Sequence, residues 1–183
     1  KMVFANQQWH HDLKTKNDKL SIAVFDEELN ELWSKVQDFD YEDSKFMANR
    51  VVVTNNGNDV FLTGALSTSK KKAFYDYKIF HITKTNMKEY NIKIDNDLQI
   101  LSMTTDYNDE NNTLIISGFY TLKKDGDVEG IYSGEFNLHS EEMNFLTFKP
   151  FSKKEKEAIY FRKVDERNTM NILSSRKLSN GNI

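Results

Sequence analysis

The densest cluster of potential metal donors in the chain is Trp9-His10-His11-Asp12, two imidazoles followed by a carboxylate. Neighbouring residues of an extended chain point to opposite sides, whereas zinc needs three or four donors converging on one point, so this run reads as a polar loop between strands. Asp125-Gly126-Asp127-Val128-Glu129-Gly130 opens like a calcium loop, with acids at alternate positions and glycine in sixth place. The bidentate glutamate that closes such a loop should fall on Phe136, and Glu135 comes one place early, which favours a hairpin connection. Asp106, Asn108 and Glu110 show the same alternation, with Ser117 where the closing acid belongs.

Other arrangements are weaker. Gly130-Ile131-Tyr132-Ser133-Gly134 places its serine one position late for a nucleophile elbow. The pairs Glu27-Glu28 and Glu141-Glu142 bring together the carboxylates a glycosidase needs, yet both fall in turns, where solvated acids are the rule. His81 continues the alternation of Tyr77 and Ile79 and is expected to be a packed, hydrogen-bonded histidine; His139 falls in a turn. Lys70-Lys71-Lys72 beside Phe74 and Tyr75 reads as a solvated loop tip. The residues themselves assign no catalytic, cofactor-binding or metal-binding position and imply no cofactor.

The elements that would carry these residues follow a repeat. Val51-Val52-Val53, a polar turn at Thr54 to Asp59, then Val60-Phe61-Leu62-Thr63-Gly64 is echoed by Met103 to Asp106, a turn at Asn108 to Asn112, then Leu114-Ile115-Ile116-Ser117-Gly118. The closing glycines are about 54 residues apart, a spacing near that of repeat architectures. Two further extended runs follow each glycine: Asp76 to Ile82 and Met87 to Ile94 in one copy, Gly130 to Asn137 and Glu142 to Phe148 in the other. Met2 to Ala5, Leu20 to Phe25 and Glu31 to Val36 match the last three runs of an earlier unit.

Met170 to Leu178 and the turn Ser179-Asn180-Gly181 resemble the start of another unit, so the register predicts that the chain begins and ends inside a repeat. Asn-Gly between extended runs signals a tight hairpin, because both turn positions favour φ > 0. Ser152-x-x-Glu155 just after Pro150 is a capping box and predicts a short helix in an insertion of about 16 residues. The fold expected is all-β: antiparallel four-stranded blade repeats forming part of a β-propeller. Its divisions are a partial blade over 1–40, blades over 41–96 and 97–151, and a helical or charged insertion leading into a further blade over 152–183.

Runs such as Val60-Phe61-Leu62 and Leu114-Ile115-Ile116 are apolar without alternation, as strands covered on both faces are; Glu31 to Val36 and Lys88 to Lys93 alternate, as rim strands do. Charge limits the partners, because 25 basic against 28 acidic side chains leave a net charge of −3 and no long-range attraction for nucleic acid or anionic lipid. No apolar run approaches the ~18 residues of a membrane span. The absence of cysteine removes disulfides and thiolate chemistry without fixing a compartment.

The segments Val24-Phe25-Asp26, Leu29-Asn30-Glu31-Leu32-Trp33, Val53 to Gly64 and Ile116-Ser117-Gly118-Phe119-Tyr120 together resemble propeller-like repeat proteins of the bacterial cell envelope, a family without an assigned activity. The resemblance implies a periplasmic or secreted protein, and the second unit departs from its aspartate-asparagine-glycine turn at Asn108-Asp109-Glu110-Asn111-Asn112. The function expected is non-enzymatic, a scaffold or recognition module for a protein or glycan, with no nucleic acid partner and no membrane insertion. The alternatives are a carbohydrate-active propeller enzyme whose site lies outside this stretch, and a small barrel holding an apolar ligand.

Overall fold

In Leu20-Ser21-Ile22-Ala23-Val24 the large side chains recur at every second position, and an extended chain puts all three on one face. That face is inside: Leu20, Ile22 and Val24 are buried, while Ser21 and Ala23 between them are half-buried. The computed structural model describes residues 1–8, 17–42, 45–67, 75–92, 94, 97–122 and 127–159. They are mostly β-strand, in antiparallel sheets, and fall into two compact units, residues 1–93 and 94–183.

The first unit contains two sheets. β1 (Met2–Gln8), β2 (Asn17–Phe25) and β3 (Glu31–Glu42) follow one another in a three-stranded sheet. β4 (Phe46–Val53), β5 (Asp59–Ser67), β6 (Tyr75–Thr83) and β7 (Met87–Asn91) form a four-stranded one, again with neighbours in space that are neighbours in sequence. Leu20, Ile22 and Val24 of β2 and Trp33 and Phe39 of β3 pack onto Phe46, Val60, Leu62, Phe80 and Ile82 of the second sheet. Phe39 stacks on Phe46 with ring centroids 4.9 Å apart and meets Phe80 edge-on at 5.1 Å, arrangements that add to the area they bury.

Polar bonds fix the register between these layers. The indole N–H of Trp33 donates to the carbonyl of Gly57 at 2.7 Å, from β3 into the β4–β5 turn. At the other end the Tyr41 hydroxyl donates to Glu89, and the same carboxylate pairs with Lys78, whose ammonium lies 5.5 Å from the Tyr41 ring centroid. Burial pulls the Lys78 ammonium down, but its hydrogen bonds to Glu89 and Tyr41 outweigh that and leave its pKa above the usual lysine value. Burial, then the bond to Glu89, pushes the Tyr41 phenol up.

In the second unit, β8 (Leu98–Ile100) and β9 (Thr104–Asn108) pair with successive parts of β10 (Thr113–Leu122), so they act as one strand interrupted at 101–103. β11 (Gly130–Asn137) and β12 (Glu142–Pro150) complete the sheet on the other side of β10. The interruption is pinned by Ser102, whose hydroxyl accepts the Phe119 N–H at 3.2 Å and whose carbonyl accepts the buried Tyr132 hydroxyl at 2.9 Å. That carbonyl lies against Gly118, where an added Cβ would sit 1.9 Å from the oxygen.

Turn chemistry matches the residues present. Asp26 accepts the N–H groups of Glu28 and Asn30 and the Asn30 side-chain amide, which holds its carboxyl below the usual range. The Asn56-Gly57 turn differs from the tight type expected. Only Gly57, at φ +77°, adopts positive φ, and four residues separate Thr54 from Asp59. The Asn56 side chain accounts for this, accepting the Thr54 hydroxyl at 2.7 Å and the Asn58 N–H at 2.9 Å and so supporting a wider loop. α1 (Lys153–Ile159) begins with the expected capping box: Ser152 N–H donates to the Glu155 carboxylate at 2.8 Å and Glu155 N–H to the Ser152 hydroxyl at 3.3 Å.

Candidate functional site

The sequence candidates scatter. Trp9-His10-His11-Asp12, Lys70-Lys71-Lys72 and Asp125-Gly126 lie outside the described residues, as do 160–183 and with them Met170 to Leu178. Of the calcium-like run, Asp127 is exposed and the Glu129 carboxylate is paired with Lys156 at 2.7 Å. Asp106 and Asn108 turn their side-chain oxygens onto nearby backbone, to the N–H groups of Tyr107 and Glu110 respectively. Among the described residues no three histidines or acids gather into a metal-binding group. Glu27 and Glu28 are exposed beside the β2–β3 turn, and Glu141 and Glu142 beside the β11–β12 turn. His139 is exposed in that same turn.

His81 is packed and hydrogen-bonded as its alternation suggested. Its ring stacks on Phe61 with centroids 4.6 Å apart, and Nε2 lies 2.7 Å from an Asp59 carboxylate oxygen. A carboxylate that orients an imidazole is half of an acid–base device, but here both side chains are part-buried in a sheet face and Phe61 fills the ring's flank. A second polar group lies on β10 and β11, where Glu135 is buried and accepts Asn144 at 3.0 Å. On the same sheet face Thr113, Ser117 and Ser133 hold hydroxyls without partners. Those oxygens are closed off from solvent, so a ligand does not reach them. Ser133, the serine of the near-elbow, faces Ser117 across the strand pair instead of a histidine.

The outer face of the first sheet carries an open, largely apolar groove. Alternation that sends Leu20, Ile22 and Val24 inward sends Ser21, Ala23 and Phe25 outward, next to Phe4 and Asn6 of β1 and Ser34 and Val36 of β3. The small side chains of Ser21, Ala23 and Ser34 form the floor of an open groove of about 500 Å³, with Phe4 and Val36 as its walls. Phe4 is 58% exposed and Val36 56%, and Met2 and Leu32 add further exposed apolar surface to the same sheet. Phe4 is braced edge-on against Phe25 at 5.6 Å. Lys35, whose backbone lines the groove, sends its ammonium to the Thr83 carbonyl at 3.1 Å, and burial lowers its pKa.

Anything seated in this groove would bury mainly apolar surface, with Asn6, Ser21 and Ser34 as the few polar residues among its lining. None of its residues stood out in the sequence as chemical; the available signal was the small-large alternation in Ser21 to Val24, which marks one strand face as shallow. Among the described residues no helix is long and apolar enough to cross a membrane. Comparison with protein-family models, curated proteins and solved structures finds no match for this chain.

Proposed function

We propose that this chain is a non-enzymatic, propeller-type scaffold or recognition module of the cell envelope, which binds an apolar segment of a protein in the groove of its first sheet. The observation that carries the reading is the exposed apolar sheet face formed by Phe4, Ala23 and Val36, since large apolar side chains left in solvent around a shallow floor mark a surface meant to be covered. Three successive antiparallel meanders, with Gly64 and Gly118 at close approaches in corresponding strands, support the propeller architecture. The apolar walls favour a peptide segment over a glycan, which would call for more hydrogen-bonding groups.

A peptide-display library panned on the purified chain tests this, with fluorescence anisotropy on the enriched sequences. Covering Phe4 and Val36 contributes about 1 kcal/mol each, so Phe4→Asp and Val36→Glu are each expected to weaken binding at least about fivefold with the fold unchanged by circular dichroism. Enrichment that survives both substitutions places recognition elsewhere. Retention on a glycan array in place of peptides moves the reading to a carbohydrate partner. A small apolar molecule carried through purification and seen by native mass spectrometry replaces it with the ligand-carrier alternative.

A further inference from the structure

Along β3 the side chains on the outer face of the first sheet are Leu32, Ser34, Val36, Asp38, Asp40 and Glu42, all exposed, while Trp33 and Phe39 between them are buried. The face is divided. Its first half, with Phe4 of β1 and Ser21 and Ala23 of β2 alongside, is the groove, and its second half on β3 carries only carboxylates. Two salt bridges reach into the acidic half, Lys19 to Asp38 and Lys45 to Glu42, each at 2.9 Å. Both pairs are about half exposed, so each holds its carboxylate weakly and yields to an incoming cation. Asp40 between them forms no salt bridge among the described residues.

The acidity belongs to this layer as a whole. Of the 25 basic and 28 acidic side chains, residues 1–42 hold five and nine, a net charge of −4, which leaves 20 and 19 for the rest of the chain. Lys14 and Lys16, outside the described residues, are within that count.

We propose that the groove's partner is a protein segment in which an apolar stretch adjoins lysine or arginine, the apolar side chains lying between Phe4 and Val36 and the basic ones over Asp38, Asp40 and Glu42. This deepens the reading of the groove as a peptide site and rests on it. The sign of the charge selects the partner. A neutral segment gains nothing at the acidic half and an acidic one is repelled there, whereas a basic one is steered in by the field of the layer and held on contact. Along an extended strand Asp38 and Asp40 lie about 7 and 13 Å beyond Val36. Those distances are close to the screening length of about 8 Å at physiological salt, so basic residues two to four positions past the apolar ones fit an extended segment.

The probes are fluorescein-labelled peptides carrying the apolar core of the tightest displayed peptide, followed by three lysines, three serines or three glutamates. A further peptide keeps the lysines and has serine throughout the core. Anisotropy with the whole chain at about 20 mM salt should rank the lysine peptide about tenfold above the glutamate one, narrowing to about twofold at about 0.5 M salt. Asp38 and Asp40 are exposed, so D38N with D40N should keep the circular dichroism spectrum and reduce the lysine preference about threefold. Equal affinity for the three core-bearing peptides, lost in Phe4→Asp, overturns the basic partner and leaves the groove reading standing. A library that enriches nothing, or binding indifferent to Phe4→Asp, overturns both. Lysines that bind as tightly without the core, or a preference unchanged in the doubly substituted chain, overturn the proposal as well.

Discussion

Gly118 shows how much one missing Cβ decides. The Ser102 carbonyl occupies the space, and it is backbone already bonded to Tyr132, so it cannot swing aside as a side-chain end could. Gly118→Ala is therefore expected to cost about 3 kcal/mol or more through overpacking. Gly57→Ala provides the contrast. Its Cβ would meet the Leu32 Cδ1 at 2.7 Å, the far end of an exposed side chain, and the main cost is the φ of +77°. A loss of about 1 to 2 kcal/mol is expected there. Urea titration of both variants checks the order; equal stabilities would mean that the Ser102 contact does not constrain the sheet.

Among the elements, α1 is the one with least to hold it, since seven residues cannot sustain a helix alone. Its capping box satisfies the first turn, and Lys156 ties it to Glu129 ahead of β11 at 2.7 Å. Phe151 N–H also donates to the Glu129 carbonyl, so the same residue anchors the chain just before the helix. Both charged side chains are about one-third exposed, which limits the pair to roughly 1 kcal/mol. Glu129→Gln is expected to raise amide exchange across Lys153–Ile159 up to about fivefold and to leave β10 and β11 protected. Unchanged exchange in the helix would show that the capping box alone holds it.

The whole molecule carries a stability that alkali should remove. Burial, with a smaller contribution from Tyr75, pushes the Tyr77 phenol up to about 12, and burial also raises Tyr41 and Tyr120. A raised pKa means that the folded state keeps a proton the unfolded state gives up near pH 10. The stability tied to Tyr77 is thus complete below about pH 10 and is lost as pH rises toward 12, by about 2 to 3 kcal/mol. Urea midpoints measured from pH 9 upward should fall, and fall less steeply in Tyr77→Phe. Identical slopes in the two proteins would place the alkaline transition elsewhere.

Strand content was legible in the sequence because alternation at Leu20 to Val24 and unbroken apolar runs at Val60 to Leu62 and Leu114 to Ile116 are local consequences of how an extended chain presents its side chains. The same holds for the capping box at Ser152 and Glu155, whose two bonds span three residues. The groove was not legible. Alternation states that Ser21 and Ala23 share a face with each other, but whether that face is covered depends on Phe4 and Val36, brought beside them by pairing with other strands. The partner of His81 at Asp59 and the Ser102 carbonyl seated on Gly118 likewise depend on register and sheet order. The sequence by itself determined which residues can lie on one strand face; only the tertiary structure decided which faces and edges meet protein and which meet water, because burial is set by residues far away in the chain.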